Sequence, residues 1–248
     1  MAKRSNASNM SDQKAVIEMF DDISPRYDFL NHLLSFHIDK VWRRKTSKQV
    51  AISHPTAILD VATGTADLAI RMAKDMPSTT ITGVDLSEKM LEIGKRKVEQ
   101  KRLEHRIKLM TANAMDLPFE DHRFDAVTVA FGVRNFEHLE AGLKEMVRVA
   151  KDGGQIAILE FSHPQKSVVK WPYQIYSKHV LTKVGRTFSK HPTAYTYLPD
   201  SIEAFPESDD FIHLLKQLGL TDIVEKHFFG GIATLYYGHV QKKQFTSQ

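Results

Sequence analysis

The eight residues D-V-A-T-G-T-A-D, 60–67, close a short apolar stretch, I-L-D-V-A at 58–62, and lead into a helical pattern. A glycine at such a junction, here Gly64, lets the backbone come close to a ligand at a helix start. Twenty-one residues further on, Asp85 ends the apolar stretch T-I-T-G-V-D at 80–85. A carboxylate at that tip can accept both hydroxyls of a ribose. A third stretch, I-K-L-M-T-A-N-A at 107–114, ends in Asn113 and Ala114. A polar residue beside a small one suits a purine, with an edge contact and room for the flat ring. Gly64, Thr65, Asp85, Asn113 and Ala114 are therefore the candidate nucleotide contacts. Each has a plainer explanation when taken alone, such as an ordinary turn or a helix-capping aspartate, although Ser87 is better placed to cap. Three such tips together point to a nucleotide-derived ligand. The turn holds one glycine, so it is not the G-x-G-x-x-G of dinucleotide enzymes. NAD stays as the lesser alternative.

The elements that must carry these tips follow from hydrophobic period. Residues 12–52 read as helical, with Ser11-Asp12 and Ser24-Pro25 as start signals. Strands are expected at 58–62, 80–85, 107–114, 124–131 and 155–161, the last after Gly153-Gly154. Helices are expected at 66–74, from the Ser87 cap to about Leu103, and at 138–150. Strands alternating with helices of this length make a parallel α/β sheet. A helix at 207–218 and strands at about 221–229 and 232–241 follow. The short Gly230-Gly231 link makes those two strands antiparallel neighbours. A parallel sheet closed by a hairpin differs from the all-parallel dinucleotide fold.

Composition removes several kinds of chemistry. The 248 residues include no cysteine, so disulfides, thiolate metal sites and cysteine nucleophiles are excluded. No apolar run reaches the roughly 18–20 residues that span a bilayer, and residues 1–14 read as a mobile tail without a secretory signal. His163, His179 and His191 have no spacing that suggests a metal site, and no metal is expected. The net charge of +4 is unevenly spread. Between Phe161 and Pro199 there is no acidic residue but six basic ones, leaving 28 basic and 30 acidic residues elsewhere. Such a segment calls for an anionic partner, a membrane surface or a nucleic acid.

The single-glycine turn, the acid ending strand two and the hairpin-closed sheet resemble the class I S-adenosylmethionine-dependent methyltransferases. That resemblance implies a Rossmann-like, mainly parallel seven-stranded sheet with an antiparallel C-terminal hairpin, N-terminal helices and a helical lid insertion. The N-P-P-Y motif of amino-methylating DNA enzymes is missing, as is the cysteine used to attack pyrimidine C5. Longer motifs are more specific. F-D-D-I-S-P-R-Y-D-F-L-N-H-L-L-S (20–35), D-K-V-W-R (39–43), F-G-V-R-N (131–135), L-E-F-S-H-P (159–164) and Y-x-Y-L-P-D-S-I-x-x-F-P (195–206) occur in order. Over about 15–243 the chain resembles the ubiquinone/menaquinone biosynthesis C-methyltransferase family. Thr63 and Ala66 stand where many members carry glycine; both are small, so the site is expected to survive on a less permissive backbone.

The resemblance implies S-adenosyl-L-methionine as cofactor and a ring carbon of a polyprenylated hydroquinol as methyl acceptor. Demethylmenaquinol is the expected acceptor, a 2-methoxy-6-polyprenyl-benzoquinol the alternative. From another class, an RNA-binding or RNA-modifying protein using the basic segment is the rival, though no nucleic-acid partner is expected. Arg134 and Asn135, at the strand-four tip, are the catalytic candidates. Arg134 would stabilise a phenolate or orient a water, unless it pairs with Glu137, and Asn135 would hold a ring oxygen. Tyr27, Asp28, Asn31, Tyr195 and Tyr197 are substrate or lid candidates. The expected organisation is one domain at 15–248, with a helical cap at 15–54 and a basic insertion at 162–206. Within that insertion, V-V-K-W-P-Y-Q-I-Y-S-K-H-V-L (168–181) has an apolar face beside Lys170 and Lys178. It reads as a contact with an anionic membrane. The expected location is cytoplasmic, peripheral to the inner face of the membrane. The oligomeric state stays open, with a homodimer compatible.

Overall fold

The computed structural model describes residues 16–22, 24, 38–162 and 200–241. Residues 16–22 are helical. Then come α1 (Ile38–Ala51), β1 (Ala57–Val61), α2 (Asp67–Asp75), β2 (Thr80–Asp85), α3 (Glu88–Gln100) and β3 (Ile107–Thr111). β4 (Phe124–Ala130) leads through a 3₁₀ turn, Val133–Asn135, to α4 (Leu139–Val149) and β5 (Ala150–Phe161). The chain closes with α5 (Ser208–Gln217), β6 (Leu220–Phe228) and β7 (Ala233–Val240).

The seven strands form one sheet in the order β3-β2-β1-β4-β5-β7-β6. β1 to β5 are parallel, and β7 runs antiparallel between β5 and β6. Strand order reverses between β1 and β4, and ligands of open α/β sheets bind beyond the strand ends at such a point. β1 and β4 are buried almost throughout, as sequences covered by helices on both faces must be. Trp42, Val50, Leu68, Met72 and Val98 fill one face from α1, α2 and α3. Leu143, Met146, Phe211 and Leu215 fill the other from α4 and α5.

β5 starts earlier than its pattern suggests. Lys151 to Gly154, outside the strand expected at 155–161, belong to it, and the strand bulges where the pairing shifts from Phe124–Ala150 to Ala126–Gln155. Gly153 supplies the left-handed conformation, φ 72°, that the bulge requires.

Candidate active site

A cleft opens at the C-terminal end of the sheet, at the strand-order reversal. Gly64, Asp85, Asn113, Ala114 and Asn135 all line it. They come from four separate tips or turns, after β1, β2, β3 and β4.

At the first tip the chain turns sharply. Ala62, Gly64 and Ala66 all have positive φ, at 50°, 54° and 64°. The Gly64 N–H donates to Asp85 Oδ2 at 2.8 Å, joining the β1 and β2 tips. The Ser87 N–H donates to Asp85 Oδ1 at 2.9 Å. Each carboxylate oxygen has two acceptor sites, so the amides of Gly64, Ser87 and Leu86 still leave a site open to a hydroxyl. That acceptor suits a ribose hydroxyl, and the cleft residues fit the nucleoside part of S-adenosylmethionine. Burial raises the Asp85 pKa, opposed by the amide bonds from Ser87, Gly64 and Leu86 and reinforced by the charge of Asp21.

Beyond β3, Asn113 Oδ1 accepts the Met115 N–H at 3.0 Å, fixing the side chain within its own turn. Ser87 caps α3 by accepting from the Met90 N–H, as its position in the sequence indicates.

Two candidates lie outside the cleft wall. Thr65 is buried and accepts from Lys97 Nζ at 3.1 Å, which turns it toward α3. Arg134 is also turned away. Its partner is Glu160 of β5, at 2.7 Å, rather than Glu137. The same Nη1 donates to the Phe131 carbonyl at 2.6 Å, and Nε to Ser201 Oγ at 3.3 Å. Glu160 is 0% exposed and also accepts from the Phe161 N–H. The guanidinium therefore sits behind the wall and braces it. Tyr27, Asp28, Asn31, Tyr195, Tyr197 and the basic segment lie outside the described residues.

Part of the wall escaped the sequence reading. Val16, Ile17 and Phe20 close one side of the cleft. Asp21, next to Phe20, accepts the Ser87 hydroxyl at 2.5 Å. The F-D-D-I motif marked this stretch without showing where it docks. Phe131 and Phe136 also line the cleft. Phe131 holds φ 60°, costly for a bulky residue. Its N–H bond to the Leu159 carbonyl, its ring 4.5 Å from that of Phe161, and Arg134 on its carbonyl enforce it. Asp60, beneath the first turn, is a buried carboxyl accepting from Thr63 Oγ1 at 2.6 Å and Thr128 Oγ1 at 2.7 Å.

The sequence profile of the ubiE/COQ5 methyltransferase family matches residues 7–240. The chain belongs to that family. Among relatives of the ubiE/COQ5 family, a demethylmenaquinone methyltransferase of Porphyromonas gingivalis is 45% identical over 221 residues, 89% of this chain and 90% of that one. A ubiquinone/menaquinone biosynthesis C-methyltransferase of Geotalea daltonii is 46% identical over 222 residues, 89% of this chain and 94% of the other. Of solved structures, a putative S-adenosylmethionine-dependent methyltransferase from Methanococcus maripaludis superposes with a TM-score of 0.61 at 16% identity, covering 99% of both chains. A methyltransferase from Aquifex aeolicus gives 0.55 at 16% identity, covering 78% of this chain and 89% of that one. These two speak for the fold alone. The protein is an S-adenosylmethionine-dependent C-methyltransferase.

Proposed function

We propose that the protein methylates a ring carbon of a polyprenylated quinol, converting demethylmenaquinol to menaquinol. The observation that carries this reading is the convergence of the β1, β2, β3 and β4 tips on one cleft, in a chain whose relatives bear that activity in their names. When bound, S-adenosylmethionine supplies a sulfonium methyl that a carbon nucleophile can attack directly. Asp85 would hold the ribose hydroxyls, Gly64 would admit the backbone to close range, and Asn113 with Ala114 would seat the adenine. Asn135 would hold a ring oxygen of the acceptor. Loss of the proton from that hydroxyl raises electron density on the neighbouring carbon. Arg134, paired with Glu160 behind the wall, would keep the Phe131–Asn135 turn in place. Phe131 and Phe136 would exclude water from the ring.

The Geotalea relative's name includes ubiquinone, so a methoxy-benzoquinol is the second acceptor to weigh. Methyl transfer from labelled S-adenosylmethionine to the two quinols, measured side by side, tests the proposal. Transfer to neither would sink it, and preference for the benzoquinol would redirect it. Because the acceptor carries a polyprenyl tail, peripheral association with a membrane is part of the proposal. Among the described residues no helix is long and apolar enough to cross one.

A further inference from the structure

α1 shows solvent an unusual face. Lys40, Val41, Arg44, Lys45 and Lys48 are all exposed. Their spacing places them on one stripe of the helix. The helix has one acidic residue, Asp39, and it is buried against Arg43. Arg44 also feels Asp75 of α2, which is itself bonded to Arg71 and Ser47.

The face continues onto the sheet edge. β6 is an outer strand, and period two puts Val224, Lys226 and Phe228 on one side of it. Lys226 pairs with Leu235 and Phe228 with Ala233, both in the core layer shared with α1, so this side is the α1 side. Glu225 points the other way, 3.4 Å from His227, and Asp222 lies at the far end of the strand beyond its bulge. Two contacts join helix and strand. Lys45 Nζ lies 5.1 Å from the centre of the Phe228 ring, and the Trp42 and Phe229 rings are 6.3 Å apart. Phe229, in the β6–β7 turn, is 55% exposed, with Val41 at 44% and Val224 at 42%. Since Phe161 pairs with Ala233, that turn stands at the cleft end of the sheet.

We propose that this face docks on an anionic bilayer, with Phe229 and Val41 entering the headgroup boundary and Lys40, Arg44, Lys45, Lys48 and Lys226 facing acidic lipid. Exposed apolar side chains set among cations are the composition of an interfacial surface. A nucleic acid would account for the cations, and for Phe229 by base stacking, but not for the aliphatic Val41 and Val224 exposed beside them. The proposal rests on the quinol reading for its purpose, because docking by this face brings the cleft end toward the phase that holds a polyprenylated acceptor.

The test is partitioning of the full chain onto phosphatidylcholine vesicles with and without phosphatidylglycerol, for the parent, K40Q/R44Q/K45Q and Phe229→Ser. Each cation near an acidic leaflet contributes about fivefold, so the triple variant loses about 100-fold in binding to acidic vesicles. Phe229→Ser loses about tenfold. Both variants are on the surface and keep parental affinity for S-adenosylmethionine and parental turnover of a short-tailed quinol in detergent. Equal binding of parent and variants to acidic vesicles overturns the proposal. So does equal binding of the parent to neutral and acidic vesicles. A change confined to self-association in sedimentation, or to RNA retention, assigns the face to those partners and overturns it too. Vesicle binding with no methyl transfer to any quinol would defeat the functional reading while leaving the docking face standing.

Discussion

Arg134 and Glu160 meet at 2.7 Å with their side chains 6% and 0% exposed. The pair joins the turn after β4 to the end of β5, 26 residues further along. Removing one partner strands a charge without water. Glu160→Gln should therefore cost about 3–5 kcal/mol of stability. Arg134→Met/Glu160→Gln should cost clearly less than the sum of its single changes. A denaturation cycle over the four proteins measures this, and strict additivity would show that the ion pair contributes nothing.

Asp85 should control cofactor affinity. In Asp85→Asn, an amide NH₂ would face the Gly64 or the Ser87 N–H, donor against donor. The loss is expected at about 1–3 kcal/mol, a factor of about 5–150 in affinity for S-adenosylmethionine. Calorimetric titration checks it; parental affinity would remove Asp85 from the ribose role.

Asp60 should shape the pH dependence of stability. Burial pushes its pKa up to about 6, against the hydroxyls of Thr128 and Thr63 and the charge of Arg43. In the unfolded chain an aspartate titrates near 3.9. Between about pH 4 and 6 the folded protein keeps a proton that the unfolded chain has released. Asp60 therefore lowers stability as pH rises through that window, by at most about 3 kcal/mol, and adds no further slope above it. Asp60→Asn should flatten this part of the curve and gain stability relative to the parent at pH 8. Urea melts from pH 4 to 8 decide; an unchanged slope would place the titration elsewhere.

Gly132 and Gly153 should respond differently to alanine. A Cβ at Gly132 would fall 2.5 Å from the Ala62 Cβ and 3.3 Å from Val129 Cγ2, so two cleft walls would have to part. Gly132→Ala should cost about 1–3 kcal/mol and weaken cofactor binding. At Gly153 the space is open, and only φ +72° opposes a side chain. Gly153→Ala should cost about 1 kcal/mol and leave cofactor affinity unchanged. Equal effects on affinity would contradict this placement.

The strands were legible because each carries its own period. T-I-T-G-V-D at 80–85 coincides with β2, and the other strand expectations, β5 apart, fall within a few residues of the observed limits. β5 was read five residues too late, because Asp152, Gly153 and Gly154 are turn residues that here form a bulge. Asp85, Asn113 and Asn135 were legible as strand-tip polar residues. Thr65 and Arg134 were assigned to the cleft by position, but side-chain direction depends on partners distant in sequence, Lys97 and Glu160. The turn shows the same limit. Thr63 and Ala66 were both expected on a less permissive backbone, yet Thr63 avoids positive φ and binds Asp60, whereas Ala66 takes φ 64° and carries the strain.

Ser87 gives its hydroxyl hydrogen to Asp21 and its amide hydrogen to Asp85. One residue thus ties Asp85 to a segment 66 positions earlier in the chain. By linkage, a ligand that favours the ordered Asp85 arrangement also favours the docked state of residues 16–22, and docking returns the same free energy to the ligand. A nucleoside in this cleft and the N-terminal stretch over it thus stabilise one another through a single serine, with no change required of the sheet beneath.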